Sequence, residues 1–246
     1  MANRLVHILN GDALKSQVEN WLAGELIVAR ECLVDGDDYG TDIESLYACR
    51  AKFISSNYEG TQPEDYYKKT VCEIEKIRAL TSQDEIMLWF EDDVFCQVNF
   101  WFCIHLLYQN GVHNLSLVRP EKHTQYGFGG LQQPELEIAL KNRLELNHQK
   151  EIAALWEMFK ARNVNHLNKM AVFFNNEYPF ISNVIDAFIR SIPTKDNPGE
   201  PVMILKEIMK DLNTQEFSPI FREFSKRAPI YGYGDLQVKR LLDKLI

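Results

Sequence analysis

The 246-residue sequence has no run of about 18 consecutive apolar residues, so we expect no membrane-spanning helix. Its 12 Gly and 9 Pro are too few for a collagenous or low-complexity chain. Basic residues are the minority, and the net charge of −8 argues against sequence-independent binding of nucleic acid. The five Cys form no C-x-x-C pair, which favours reduced thiols over a disulfide framework. The first residues lack a signal-peptide pattern, so we expect a cytoplasmic protein.

Several short motifs with known chemistry are also missing from the sequence. Neither G-x-G-x-x-G nor G-x-x-x-x-G-K-[ST] occurs, so the usual signatures of dinucleotide and P-loop phosphate binding are absent. The six His form no H-E-x-x-H motif, and no G-x-S-x-G nucleophile elbow is found. These absences leave the reaction undetermined from sequence.

Short apolar runs alternate with helical patterns through the first part of the chain. The runs are Arg4–Leu9, Glu25–Arg30, Glu85–Phe90 and Leu115–Val118. They are continuously apolar, as in strands buried on both faces, and the helices between them imply right-handed crossovers. We therefore predict an α/β fold with a small parallel sheet in the order 2-1-3-4 and flanking helices, Rossmann- or flavodoxin-like.

The second part of the chain is predicted to be helical, starting from helices at Pro134–Leu146 and His148–Arg162. Residues 1–147 carry 13 Lys/Arg against 23 Asp/Glu, whereas residues 148–246 carry 14 against 12. This change of charge predicts an α/β domain at 1–147 and a helical domain at 148–246. No Pro/Gly-rich linker separates them, so we expect the helical domain to pack against the first.

Polar residues follow the predicted strands, and the carboxyl ends of parallel strands meet at one edge of a sheet. The candidate ligand-binding residues are Asn10, Gly11, Asp12, Glu31, Gln97, Arg119 and His123. Gly11 would let the backbone approach a ligand, with Asp12 accepting from that ligand or binding a divalent ion. Alternatively, Asp12 simply caps the first helix.

Three consecutive carboxylates, Glu91, Asp92 and Asp93, follow the third predicted strand. Carboxylate oxygens suit Mg²⁺, so Asp12, Asp92 and Asp93 are candidate ligands of a divalent ion. A helix start also favours acidic residues through capping and the helix dipole. The sequence leaves both interpretations open.

Arg119 ends the fourth predicted strand and offers a guanidinium to a carboxylate or phosphate. A salt bridge to the acidic turn is the alternative. The loop that carries His123 and Tyr126 is either a mobile flap or an ordinary connection. The closing motif Tyr231–Asp235 favours a structural role, with Asp235 capping the last helix.

Three blocks of the sequence resemble a known family. They are the opening HILNGDAL, the central LWFEDDVFCQVNFWFCIHLL and the closing IYGYGDLQVKRLLDKLI. Together they are similar to domain-of-unknown-function family 1835, which comprises bacterial proteins without an assigned activity. The similar positions are Gly11-Asp12, Trp89, Asp92, Asp93 and Gln97. The resemblance implies membership of that family and no particular activity.

The sequence favours binding of a small phosphate- or nucleotide-like anion, together with a divalent ion, at the carboxyl ends of the strands. Whether the chain is an enzyme is left open. The alternative is a non-catalytic regulatory or interaction module whose helical part presents a partner surface. Nucleic-acid binding by that part is poorly supported, because its basic residues are dispersed. The oligomeric state is not determined by the sequence.

Overall fold

The computed structural model describes residues 4–58 and 60–245. Contacts between residues divide the chain into two compact units. The first comprises 1–91, 98–122 and 126–163, and the second comprises 92–97, 123–125 and 164–246.

Five strands form one mixed sheet in the first unit. They are β1 (Arg4–Leu9), β2 (Glu25–Val28), β3 (Asp84–Trp89), β4 (Leu115–Val118) and β5 (Leu144–Glu145). The order is β2-β1-β3-β4-β5, parallel except for the β4–β5 pair. In the register of the sheet, Ile8 of β1 lies between Ile27 of β2 and Leu88 of β3.

Helices occupy most of the remaining described chain. They are α1 (Asp12–Val18), α2 (Ile43–Asn57), α3 (Pro63–Tyr66), α4 (Cys72–Arg78), α5 (Val94–Gln109), α6 (Gln133–Lys141), α7 (Gln149–Lys160), α8 (Val164–Phe174), α9 (Pro179–Ser191), α10 (Glu200–Leu212), α11 (Phe217–Arg227) and α12 (Asp235–Leu242). A π-helical turn, Tyr67–Val71, joins α3 to α4. Short 3₁₀ turns lie at Gly127–Gly130 and Pro229–Tyr231.

Helices cover both faces of the sheet. On one face, α1, the 3₁₀ turn at Gly127–Gly130 and α6 enclose an apolar cluster around Leu9, Trp89 and Phe128. Successive strand residues point to opposite faces, so Val6 and Ile8 of β1 project to the other side. The right-handed crossovers from β2 to β3 and from β3 to β4 place α2–α5 on that second face. This layering accounts for the continuously apolar strands.

The predicted order 2-1-3-4 is confirmed, but the prediction of a purely parallel, four-stranded sheet is wrong. The predicted helix at Pro134–Leu146 ends at Lys141, and Leu144 then pairs antiparallel with Leu117. Leu146 continues this course, since its amide donates to the Leu115 carbonyl at 3.0 Å. These pairings satisfy backbone groups at the β4 edge that would otherwise lack strand partners.

The first unit extends through α7 to Asn163, whereas the sequence predicted a boundary at 147. Aromatic packing explains the difference, because the Trp156 ring of α7 lies 4.9 Å from the Phe102 ring of α5. The change from acidic to basic composition at residue 147 therefore lies one helix, α7, before the end of the first unit. Packing of the helical part against the α/β part stays a prediction.

In the second unit, α8 packs on α9, and α10 packs on α11. Tyr231, which is fully buried, anchors the 3₁₀ turn at Pro229–Tyr231 to this helical group. Its hydroxyl donates to the Glu200 carboxylate, and that carboxylate also accepts from Arg190 at 2.9 Å. Among the described residues, no helix has the length and apolar character needed to cross a bilayer.

Candidate functional site

The chain leaves β1 through Asn10, Gly11 and Asp12, at the carboxyl edge of the sheet. The strand order reverses between β1 and β3, which is where ligands bind in open α/β sheets. Gly11 has φ 129° and ψ 163°, a conformation that is essentially restricted to glycine. A Cβ placed on Gly11 would meet no described atom within 4 Å. The glycine is therefore required by the backbone course, and open space lies beside it.

Asp12 forms a two-point ion pair with Arg30, which follows β2. Arg30 Nε donates to Asp12 Oδ2 at 2.7 Å, and Arg30 Nη2 donates to Asp12 Oδ1 at 2.8 Å. The guanidinium holds the pKa of Asp12 below its usual range, so the carboxylate stays ionised at neutral pH. The alternative that Asp12 caps α1 is wrong, because Gly11 is the cap residue and no side chain caps this helix.

Arg30 is also fixed from the other side by the π-helical turn. Its Nη1 donates to the Lys69 carbonyl at 2.6 Å. A π-helical turn shifts the backbone hydrogen bonds by one residue, and such turns are frequent at functional sites. All three nitrogens of the Arg30 guanidinium thus donate hydrogen bonds, and these bonds fix the orientation of this cation at the carboxyl ends of the strands.

The Glu31 carboxylate is occupied by hydrogen bonds from side chains of the protein. Its carboxylate accepts from Arg50 of α2, at 3.3 Å from Nε and 3.0 Å from Nη2. The Tyr66 hydroxyl donates to the same carboxylate at 2.5 Å. The side chains of Arg50 and Glu31 are 0% and 4% exposed. Arg50 further donates to the carbonyls of Asp35 and Asp37, so this buried pair fixes the loop after β2.

Asn99, in the middle of α5, joins the ends of β1 and β2. Its Nδ2 donates to Asn10 Oδ1 at 3.0 Å and to the Glu31 carbonyl at 2.6 Å. Its Oδ1 accepts from the Leu33 amide at 3.3 Å. A single buried amide therefore sets the spacing of two of the loops that carry the candidate residues.

Glu91, at the end of β3, binds the glycine-rich loop. Its Oε1 accepts from the Phe128 amide at 2.6 Å, and its carboxylate occupies the place that a Cβ on Gly127 would need. Gly127 has φ 49°, and Phe128 is buried. The glycine-rich part of this loop is thus held at the end of β3 by the Glu91 carboxylate.

Asp92, Asp93 and Gln97 belong to the second unit, and all three are buried. Asp93 Oδ1 accepts from the Cys96 amide at 2.8 Å, which is the capping geometry of a helix start. The same oxygen occupies the place of a Cβ on Gly232, so the closing Tyr231–Asp235 motif contacts this turn. Asp93 therefore has the structural role that the sequence left open, and the Mg²⁺ assignment stays a prediction.

The last two candidates lie after β4. Arg119 directly follows that strand and is half-buried, in the first unit. His123 belongs to the second unit, and its Nε2 is buried without a hydrogen-bond partner among the described residues. The first unit thus brings together Asn10, Gly11, Asp12 and Glu31.

Sequence reasoning did not select Arg50, Tyr66 or Asn99. A usable signal existed for Asn99, because a polar residue inside the apolar pattern of α5 needs a buried partner. No comparable pattern marks Arg50 or Tyr66, since they reach Glu31 from helices distant in sequence.

Comparisons of the chain with known protein families, curated proteins and solved structures found no match. The resemblance to family 1835 accordingly stays a prediction.

Proposed function

We propose that the first unit binds a small phosphate- or nucleotide-like anion at the carboxyl edge of its sheet, beside Gly11. The observation that carries this proposal is the open space at Gly11, where the strand order reverses. The glycine-only backbone lets a ligand approach the main chain closely. Arg30 provides an oriented guanidinium at the same edge, which suits two-point recognition of phosphate.

Asp12 neutralises the charge of Arg30 when no ligand is bound. It is the more exposed partner of the pair, with side-chain exposures of 60% for Asp12 and 27% for Arg30. An arriving anion would replace Asp12 on part of the guanidinium, while the bond to the Lys69 carbonyl keeps Arg30 in place. Arg119 supplies the second positive charge in the proposal. For the second unit we separately propose a divalent ion bound by Asp92 and Asp93.

Isothermal titration with inorganic phosphate, a nucleoside monophosphate and a nucleoside triphosphate, each with and without Mg²⁺, tests this function. Arg30→Gln should weaken the binding of the best anion at least tenfold, about 1.4 kcal/mol. Arg119→Lys should weaken it similarly, because lysine cannot copy the guanidinium fork. Binding of Mg²⁺ alone to the unaltered protein that is lost in Asp92→Asn would support the divalent ion.

Arg4→Gln is the matched control. Arg4 starts β1 at the opposite edge of the sheet and pairs with Asp84 at 2.9 Å, so its removal also breaks an Arg–Asp pair. Its anion affinity should match that of the unaltered protein. The proposal would be refuted if none of these anions bound at millimolar concentration. Equal losses of anion affinity in Arg4→Gln and Arg30→Gln would also refute it.

We further propose that the first unit is Rossmann- or flavodoxin-like and that an all-helical region follows it. The alternation of parallel strands and helices supports the first part, and α8–α12 support the second. A cytoplasmic location is supported by five free thiols. Membership of family 1835 is proposed on the three similar sequence blocks alone.

A regulatory or interaction module is the second candidate. It is favoured by α8, which exposes two adjacent apolar side chains, Val172 at 78% and Phe173 at 47%. Exposed apolar patches often mark interaction surfaces. Concentration-dependent sedimentation that disappears in Val172→Ser would support self-association through α8. A monomer at every concentration would refute self-association.

A further inference from the structure

The first unit contains a cavity of about 280 Å³ in the helix layer on the second face of the sheet. It is lined by the start of α2, the end of α4, the second half of α5 and the end of α7. Arg78 precedes β3 and Gln109 precedes β4, so the cavity lies toward the amino ends of the strands. It is therefore separate from the anion site proposed at the carboxyl edge.

One wall of the cavity is a chain of polar side chains that links α7 to α5. Lys160 Nζ lies 3.1 Å from Glu157 Oε1, and that oxygen lies 3.6 Å from His105 Nε2. His105 Nε2 and Gln109 Nε2 are 2.9 Å apart. Burial lowers the pKa of His105, so its imidazole is neutral at pH 7. The formal charges on this wall are the Lys160 ammonium and the Glu157 carboxylate.

The other wall carries a second pair of opposite charges. Arg78 Nη1 lies 2.7 Å from Glu75 Oε1 and 4.0 Å from Glu44 Oε1. Asp42 also lines the cavity, but its Oδ1 already accepts from the Ser45 amide at the start of α2. Arg78 thus provides one positive group on this wall, and Glu44 and Asp42 provide two negative groups.

Most of the remaining lining is apolar. Phe102 and Trp156 contribute aromatic surface, and Leu46 and Leu106 contribute aliphatic surface. Lys160 Nζ lies 5.5 Å from the Trp156 ring, a cation–π contact that holds the ammonium over the apolar surface. The cavity therefore combines an apolar floor with walls that each carry both signs of charge.

We propose that this cavity binds a free amino acid with an apolar side chain, as the zwitterion. Its carboxylate would contact Arg78, its ammonium would contact Glu44 or Glu157, and its side chain would lie over Phe102. A simple anion or cation fits less well, because each wall carries a like charge that repels it. The cavity volume of about 280 Å³ lies just below the range of about 300–1,000 Å³ typical of ligand pockets, which restricts the occupant to a very small ligand.

Isothermal titration of the full chain with L-leucine and L-phenylalanine tests the proposal. Two blocked probes separate the charge requirements, namely N-acetyl-L-leucine, which lacks the ammonium, and L-leucine amide, which lacks the carboxylate. At least one free amino acid should bind, and each blocked form should bind at least tenfold more weakly. The variant Arg78→Gln should weaken the binding of the free amino acid at least tenfold.

Arg78→Gln should not further weaken L-leucine amide, because that probe has no carboxylate for Arg78 to hold. The matched control is Arg227→Gln on α11, which removes an arginine with two surface ion pairs, at 2.7 Å and 2.8 Å. It should leave amino-acid binding within twofold of the unaltered protein. Absence of binding at millimolar concentration, equal binding of a blocked probe, or equal losses in the two arginine variants would each overturn the proposal.

Discussion

Acidification from pH 8 to pH 5 should lower the free energy of unfolding through one histidine, His7 of β1. Its side chain is 1% exposed, and its two ring nitrogens have different partners. Nδ1 accepts from Trp89 Nε1 at 3.0 Å, so Nε2 carries the proton and donates to the Ala23 carbonyl at 3.1 Å. The Trp89 bond needs the neutral ring, because a protonated Nδ1 cannot accept, whereas the bond to Ala23 persists in either protonation state.

The size of the effect follows from the pKa of His7 in the two states. Burial lowers the pKa from 6.5 to about 4 in the folded chain, against the smaller opposing contribution of the Ala23 carbonyl. The unfolded chain therefore takes up the proton first, and stability falls as the pH falls below about 7. Relative to pH 8, the loss from this residue is about 1 kcal/mol at pH 6 and about 2 kcal/mol at pH 5.

Urea unfolding of the unaltered protein and of His7→Gln at pH 8, 6 and 5 measures this loss. Glutamine has one acceptor and one donor group, so it can replace both bonds without titrating in this range. The pH dependence should be shallower in His7→Gln by about 2 kcal/mol between pH 8 and pH 5. Equal slopes would refute the reasoning. So would a His7 imidazole that titrates near pH 6.5 in NMR spectra of the folded protein.

Two further predictions concern stability. Arg50→Ala leaves the Glu31 carboxylate buried without its cation, so urea unfolding should show a loss of about 3–5 kcal/mol; a loss below 1 kcal/mol would contradict the buried pair. Gly232→Ala should lower the urea midpoint of unfolding more than Gly111→Ala does. Both glycines have positive φ, but only at Gly232 does the Asp93 carboxylate occupy the place of the new Cβ. Equal decreases in the two variants would show that the Asp93 contact does not matter.

The sheet was predictable because its first four strands are apolar and are separated by helices. β1 and β4 have the bounds that the sequence predicted, and the first four strands have the predicted order. Strand β5 was missed because two residues are too short to show a period. Leu144 becomes a strand residue only through its pairing with Leu117, which lies far away in the sequence.

The candidate site was predictable in position and less so in partners. Residues after parallel strands converge by topology, so Asn10, Gly11, Asp12 and Glu31 could be selected from sequence alone. Which carboxylate meets which cation depends on side chains that arrive from other helices. The sequence therefore could not show that Arg50 uses the Glu31 carboxylate, or that Arg30 uses the Asp12 carboxylate.

The two outermost strands of the sheet, β2 and β5, also limit how this protein can pair with strands of other chains. Both edge strands are short, since β2 has four residues and β5 has two. A foreign strand that added to either edge would gain only a few backbone hydrogen bonds, too few to hold an extended segment in register. Short borders of this kind protect a parallel sheet against edge-to-edge aggregation. A mutation that lengthened β5 would remove this protection. The shortness of this antiparallel strand therefore prevents further strands from adding to the sheet.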